Sequence, residues 1–172
     1  MVLLVGATGR LGSRIARELL ASRTPLRVLC RRMSGHAVLR RMGADVRFGD
    51  LRDQASVDAA CEGIDTVLST ASAVSRGGDD TVDAVDDAGT RRLFDRAASR
   101  GVTRIVSVSA MGATPSSPVP LLAAKGALDK RGDAARPAAA TVCASRSPTP
   151  ESASLNKSWN AFLRPSNKLI LR

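Results

Sequence analysis

Three glycines near the start of the chain have the spacing of a diphosphate-binding turn. The segment Gly6-Ala7-Thr8-Gly9-Arg10-Leu11-Gly12 follows a short apolar run and opens an amphipathic stretch. Between a strand and a helix, the first glycine permits a sharp turn, the second lets the backbone approach a diphosphate, and the third allows close helix–strand packing. The N–H groups at the helix N-terminus then face the phosphates. The motif predicts a dinucleotide site, the alternative being a plain strand–turn–helix connection.

The end of the second predicted strand indicates which dinucleotide the site holds. NAD sites place an acid about 20 residues after the glycines, where it binds the ribose hydroxyls. This chain has Cys30-Arg31-Arg32 there and no acid nearby. A guanidinium instead suits the 2′-phosphate of NADP, because it can donate two charge-assisted hydrogen bonds. We therefore expect Arg31 and Arg32 to favour NADP(H), the alternative being two ordinary surface arginines.

These motifs lie within an alternation of short apolar runs and longer amphipathic stretches, which is typical of βαβ units in a parallel sheet. The predicted strands are Val2–Val5, Leu26–Cys30, Asp45–Phe48, Thr66–Ser69 and residues 104–108. The predicted helices cover residues 10–22, 35–42, 56–61, 83–100 and 120–130, with a candidate sixth strand at 138–143. The fold predicted for residues 1–134 is α/β, a Rossmann-type doubly wound parallel sheet.

The order of four segments resembles a known family. The GATGRLG opening, residues 28–32, residues 49–53 and residues 101–109 (GVTRIVSVS) are similar to the NmrA-like NAD(P)H-binding group of atypical short-chain dehydrogenases. The resemblance covers about residues 1–130. It implies a Rossmann sheet that is followed by a smaller C-terminal substrate lobe, and it implies an oxidoreductase.

The resemblance also assigns further cofactor-binding residues. Asp50 and Leu51 are expected beside the adenine, although Asp50 can equally be a helix N-terminal acid or cap. Thr70, Ala71 and Ser72 are expected along the ribose and nicotinamide, although they can equally form a plain loop of small residues. Together with the glycine motif and the two arginines, these residues make up the predicted site.

The catalytic position departs from the family pattern. Many members carry Tyr-x-x-x-Lys, in which the tyrosine exchanges a proton with the substrate and a lysine one helical turn away lowers its pKa. Here Leu121 takes the tyrosine position, and the chain contains no tyrosine. Lys125 is retained and is expected to hold the nicotinamide ribose. Ser107 and Ser109 can offer a hydroxyl, although serines in a strand more often just pack.

Composition limits the other classes of function. The net charge is +10, and residues 126–172 hold 8 basic against 3 acidic residues, half of the surplus. With 2% aromatic residues and no long basic run, the charge indicates a solvated surface rather than a nucleic-acid site. A single histidine and three scattered cysteines predict that the chain has no metal site. The scattered cysteines also indicate a reducing compartment. No apolar run is long enough to span a membrane. We expect a cytoplasmic protein.

The C-terminal part, residues 135–172, lacks clear periodicity. Arg136-Pro137 precedes the candidate strand and Leu163-Arg164-Pro165 comes late, so neither has the register found in the family. We therefore expect a truncated or altered substrate lobe that is loosely structured from about residue 148.

Two functions are compatible with the sequence. One is hydride transfer between NADP(H) and a small carbonyl or quinone, with the cofactor supplying the chemistry. The other is a non-catalytic NADP(H) sensor that acts through a protein partner.

Overall fold

The computed structural model describes residues 1–74, 77–134 and 138–144. Its strands are β1 (Val2–Val5), β2 (Leu26–Cys30), β3 (Asp45–Phe48), β4 (Thr66–Ser69), β5 (Arg104–Ala110) and β6 (Ala138–Ala144). They form one parallel sheet in the order β3-β2-β1-β4-β5-β6. The sequence order reverses between β1 and β4. In sheets of this kind the crevice at the carboxyl ends of such a strand pair is where ligands bind.

Helices connect the strands. They are α1 (Arg10–Ala21), α2 (Ala37–Arg41), α3 (Gln54–Ala60), α4 (Thr90–Ser99) and α5 (Pro120–Ala134). A π-helical segment, Val82–Gly89, runs directly into α4. The Thr81 side chain caps this segment by accepting a hydrogen bond from the Ala84 N–H at 3.1 Å.

The strands contribute side chains to two separate hydrophobic cores, one on each face of the sheet. On β1, Leu4 packs on the face covered by α1 and α2, in a cluster that includes Ile15 and Leu39. Its neighbour Leu3 packs on the opposite face, in the cluster that includes Val57 of α3. Successive strand side chains point to opposite faces, so a strand covered on both sides has to be apolar throughout. The predicted doubly wound Rossmann fold is confirmed.

The predicted bounds of the first four strands match the structure, whereas some other elements are longer. β5 continues to Ala110, α5 continues to Ala134 and β6 continues to Ala144. β6 pairs with β5 along its whole length, from Ala138 beside Arg104 to Ala144 beside Ala110. The expectations for Arg136-Pro137 and for residues 145–172, including their loose structure, lie outside the described residues.

The helix predicted over residues 83–100 is present from Val82 to Ser99, but its first half is π-helical rather than α-helical. The backbone N–H of Thr90 is directed at the carbonyl of Val85, five positions earlier in the chain, and the Thr90 hydroxyl donates to the same carbonyl at 3.0 Å. The wider turn accompanies the complete burial of Asp86, which is 0% exposed. Apolar periodicity cannot distinguish a π-turn from an α-turn over so short a stretch, because the two differ by a single residue per hydrogen-bonded ring.

A buried cation joins β2 to the end of α3. The Arg27 guanidinium donates to the Asp45 carboxylate at 2.8 Å and to the carbonyls of Ala60 and Glu62 at 3.2 and 2.5 Å. The last carbonyls of a helix have no partner within it, so the guanidinium satisfies groups that would otherwise be unpaired. Burial raises the pKa of Asp45, but hydrogen bonds and charge from Arg27 and Arg47 together outweigh it and lower that pKa.

We expect Arg27→Met to reduce the free energy of unfolding by about 3 kcal/mol, because it leaves two carbonyls without their donor and the Asp45 carboxylate with Arg47 alone. Arg47→Met is the matched control, since Arg47 pairs with the same Asp45 from a half-exposed position. That change should cost less than about 1 kcal/mol. Urea unfolding of both variants makes the measurement, and equal losses would contradict a structural role for the buried arginine.

Candidate dinucleotide-binding site

The predicted diphosphate turn is held by a close backbone contact. Gly6 has φ +85°, a conformation that side chains rarely tolerate. A Cβ on Gly12 would lie 2.1 Å from the Gly6 carbonyl oxygen, so glycine is required where α1 crosses the end of β1. The Thr70 hydroxyl, after β4, is 3.3 and 3.2 Å from the carbonyl oxygens of Val5 and Gly6. The turn therefore brings together β1, α1 and the end of β4.

The N-terminus of α1 suits an anion. Gly9 caps the helix without a side-chain hydrogen bond, and the first turn carries no acid. The first N–H groups of a helix lack partners within it, and the helix dipole adds positive potential there. Arg10 and Leu11 are exposed, while Ala7 is buried. These features fit the predicted dinucleotide diphosphate.

An open cleft of about 540 Å³ runs along the carboxyl ends of the central strands. It brings together seven of the predicted residues, which are Gly6, Thr8, Arg31, Asp50, Leu51, Ala71 and Ser72. Cys30 and Ser34 also line the cleft. Burial raises the pKa of the Cys30 thiol, and the charge of Arg40 opposes this with a smaller effect. We therefore expect the thiol to stay protonated and to line the cleft without acting as a nucleophile.

Arg31 and Asp50 each have a charged partner. Arg31 Nη1 lies 2.8 Å from a carboxylate oxygen of Asp80, an acid that sequence reasoning missed. Arg52 Nη2 donates to Asp50 at 2.9 Å. The hydrogen bond from the Arg52 side chain lowers the pKa of Asp50 against a smaller effect of burial, and the charge of Arg31 lowers it further. Asp50 is therefore a carboxylate at neutral pH, beside the predicted adenine position.

Arg32 lies outside the cleft, unlike Arg31. Its side chain is exposed, and its guanidinium carbon is 5.0 Å from the centre of the Phe48 ring. That distance is typical of a cation–π contact. Arg32 does not line the cleft in this structure.

Lys125 lies behind the cleft wall, where its side chain is 12% exposed. Its ammonium is 3.0 Å from a carboxylate oxygen of Asp86 and 3.4 Å from the carbonyl of Ala71. The other Asp86 oxygen accepts a hydrogen bond from the N–H of Ala73 at 2.8 Å. The pair therefore connects α5, the π-helical segment and the loop after β4.

Leu121 stands at the position where the resemblance places the proton-donating tyrosine. Ser109 is one of the two serines that could offer a hydroxyl instead. Ser109 donates to the carboxylate of Asp129 at 2.7 Å and is 5% exposed. Leu121 is half-buried on α5, one turn before Lys125. The hydroxyl of Ser109 is thus engaged within the protein.

In the part of the chain that the structure describes, no group of three or more histidine, cysteine, aspartate or glutamate side chains is placed to hold a metal ion. Nor does any helix in that part have the length and apolar character that crossing a membrane requires.

Comparison with known proteins identifies the family. A family model described as NAD(P)H-binding matches residues 6–146, and the chain belongs to that family. The match, the fold and the turn together establish an NAD(P)H-binding protein of the atypical short-chain dehydrogenase type, related to oxidoreductases.

Two curated relatives match over about two thirds of the chain. Sterol demethylase protein B of Methylococcus capsulatus is 40% identical over 118 residues, which is 67% of this chain and 36% of the relative. An NAD(P)H azoreductase of Xenophilus azovorans is 32% identical over 120 residues, which is 69% of this chain and 38% of the relative. The chain thus spans well under half the length of these relatives.

One solved structure matches along most of both chains. ChuY, an anaerobilin reductase from Escherichia coli O157:H7, superposes with a TM-score of 0.74 at 20% identity. The match covers 98% of this chain and 94% of that one. At this identity the likeness supports the fold alone.

Sequence reasoning missed Asp80 and Asp86, for different reasons. Asp86 had a detectable signal, because it falls four residues before Thr90 and seven before Leu93, on the apolar face of its helix. A carboxylate on such a face requires a buried cation as partner. Asp80 had no such signal, since it follows two glycines in a polar loop and its partner Arg31 is 49 positions away.

We expect Lys125→Met to reduce the free energy of unfolding by about 3–5 kcal/mol, because it leaves the fully buried carboxylate of Asp86 uncompensated. Replacing both partners, as Lys125→Met with Asp86→Asn, should recover most of that loss, since the amide oxygen still accepts from the Ala73 N–H. Chemical denaturation of the two single variants and the double variant measures the coupling. Additive losses would contradict the pair.

Proposed function

We propose that this protein binds NADP(H) in preference to NAD(H) and transfers hydride between it and a small carbonyl or quinone in the cytoplasm. The observation that carries the proposal is the continuity of the cleft. It runs from the Gly6 turn at the N-terminus of α1 to the guanidinium of Arg31 at the end of β2. The preference for NADP(H) rests on that guanidinium, at the position where NAD sites place an acid.

In this proposal the residues of the chain bind and orient the cofactor, and the bound nicotinamide supplies the hydride. The N–H groups at the start of α1 face the diphosphate, and Arg31 faces the 2′-phosphate. Asp50 and Leu51 flank the adenine, while Ala71 and Ser72 form the wall along the ribose and nicotinamide. Lys125, whose ammonium contacts Asp86 and the Ala71 carbonyl, has a third N–H with which to hold that ribose.

A reductase is favoured over other uses of the cofactor because the name of one similar protein, the NAD(P)H azoreductase of Xenophilus azovorans, includes that activity. Leu121 cannot donate a proton. Substrates that need no positioned proton donor, such as quinones, should therefore be reduced more readily than simple ketones.

A non-catalytic NADP(H) sensor acting on a protein partner is the second candidate. The absence of tyrosine favours it, because the usual proton donor is missing. The ion pair with Asp86 also favours it, because it engages Lys125, the residue of the usual Tyr–Lys pair that this chain retains. Tight binding without turnover would select it.

We expect Arg31→Ala to weaken NADPH binding by about 1–3 kcal/mol, because it removes a charged hydrogen-bond donor from the 2′-phosphate. NADH binding should change little. Arg32→Ala is the matched control and should have the smaller effect, since Arg32 contacts Phe48 outside the cleft. Calorimetric titration of both nucleotides is the measurement. Tighter binding of NADH than of NADPH to the unchanged protein would contradict the proposed preference.

We expect the unchanged protein to reduce quinones with NADPH and to reduce ketones slowly. A positioned general acid typically contributes about 10²–10⁴-fold, so Leu121→Tyr should raise ketone turnover, with Leu122→Tyr as the control that adds a tyrosine one position away. NADPH oxidation against both substrate classes tests this. Ordinary enzymatic rates with ketones in the unchanged protein would show that the site supplies its proton in another way.

A further inference from the structure

The adenosine end of the cleft contains an acid that the proposed function does not use. The two carboxylate oxygens of Asp80 are 2.9 and 2.8 Å from Arg31 Nη1. Asp80 is the more enclosed partner, with its side chain 11% exposed against 41% for Arg31. It ends a turn closed by a backbone bridge to Gly77, in the loop between β4 and the π-helical segment. This turn therefore places a carboxylate in the cleft wall opposite the end of β2.

The surroundings of this pair are close to electrically neutral. Arg52 Nη2 is 2.9 Å from Asp50, and Arg52 Nη1 is 3.9 Å from Asp80. Arg52 Nη1 also donates to the carbonyl of Asp79 at 3.3 Å. Two guanidinium groups and two carboxylates thus alternate at this end of the cleft, with Arg52 outside its lining. Arg31 has its charge compensated before any phosphate arrives.

We propose that Asp80 is a specificity-determining residue, which competes with the 2′-phosphate for Arg31 and so limits the preference for NADPH over NADH. The inference rests on the proposed function, in which Arg31 faces that phosphate. A phosphate that binds Arg31 must displace Asp80, and the carboxylate left beside it repels the new negative charge. NADH meets no such opposition, because a ribose hydroxyl is uncharged.

Asp80→Asn tests the inference, because it removes the charge while it keeps the size of the side chain. Asp79→Asn is the matched control. It makes the same charge change one position away, on an exposed side chain, and leaves the backbone contact to Arg52 in place. The probes are NADPH, NADH and the fragments 2′,5′-ADP and 5′-AMP, which differ only in the 2′-phosphate. Isothermal titration of the full chain gives each dissociation constant.

We expect Asp80→Asn to bind NADPH and 2′,5′-ADP about tenfold more tightly than the unchanged protein, a modest gain because Arg31 is partly exposed. NADH and 5′-AMP should change by less than about threefold, and Asp79→Asn should leave all four constants within about threefold. A selective gain for the two ligands that carry the 2′-phosphate supports the inference.

Three results would overturn it. Weaker NADPH binding by Asp80→Asn would mean that Asp80 orients Arg31 for the phosphate. Weaker NADH and 5′-AMP binding would make Asp80 a direct ribose ligand, and an equal gain in Asp79→Asn would make the effect one of overall charge.

The proposed function fails in a different way. If the unchanged protein prefers NADH but Asp80→Asn shifts binding towards NADPH, the proposed preference is wrong and the role of Asp80 stands. If neither the unchanged protein nor Asp80→Asn binds any of the four ligands, both proposals are wrong.

Discussion

The site depends on one steric constraint, the contact between the start of α1 and the end of β1. The chain can make it because Gly12 has no Cβ, which would otherwise lie 2.1 Å from the Gly6 carbonyl oxygen. A helix pushed back by even a methyl group would no longer aim its free N–H groups at the crevice between β1 and β4. The Thr70 hydroxyl, hydrogen-bonded to the same carbonyl, extends the constraint to the neighbouring strand. The close contact between Gly12 and the Gly6 carbonyl therefore sets the geometry of the diphosphate turn.

The opposite wall of the cleft is built by electrostatics. Asp86 is fully buried, and its charge is balanced by Lys125 from a helix that begins some thirty residues later. A buried ion pair contributes little net stability, but it tolerates few alternative arrangements, because separating the charges in the interior is costly. The pair therefore fixes α5 against the loop that carries Ala71. It also means that any role of Lys125 in cofactor binding has to be compatible with its contact to Asp86.

The fold was largely predictable from the sequence, whereas the charged contacts of the site were not. Val2–Val5 was identifiable because a strand covered on both faces leaves a continuous apolar run. The glycine turn was identifiable because backbone geometry restricts the residue type. The partners of Arg31 and Arg32, in contrast, depend on the tertiary fold. Arg31 meets Asp80 across the cleft, while Arg32 meets Phe48 at the end of β3. Neighbouring arginines in one motif thus have different surroundings, which spacing along the chain does not reveal.

The π-helical segment before α4 has a consequence for the geometry of the whole element. An i to i+5 ring contains one residue more than an α-helical ring, so the rotation from one side chain to the next is smaller in Val82–Gly89 than in α4. The α-helical half buries Leu93 and Ala97. The π-helical half before it buries Asp86. One continuous element thus supplies apolar side chains to the core beside the sheet and a carboxylate to the support of the cleft.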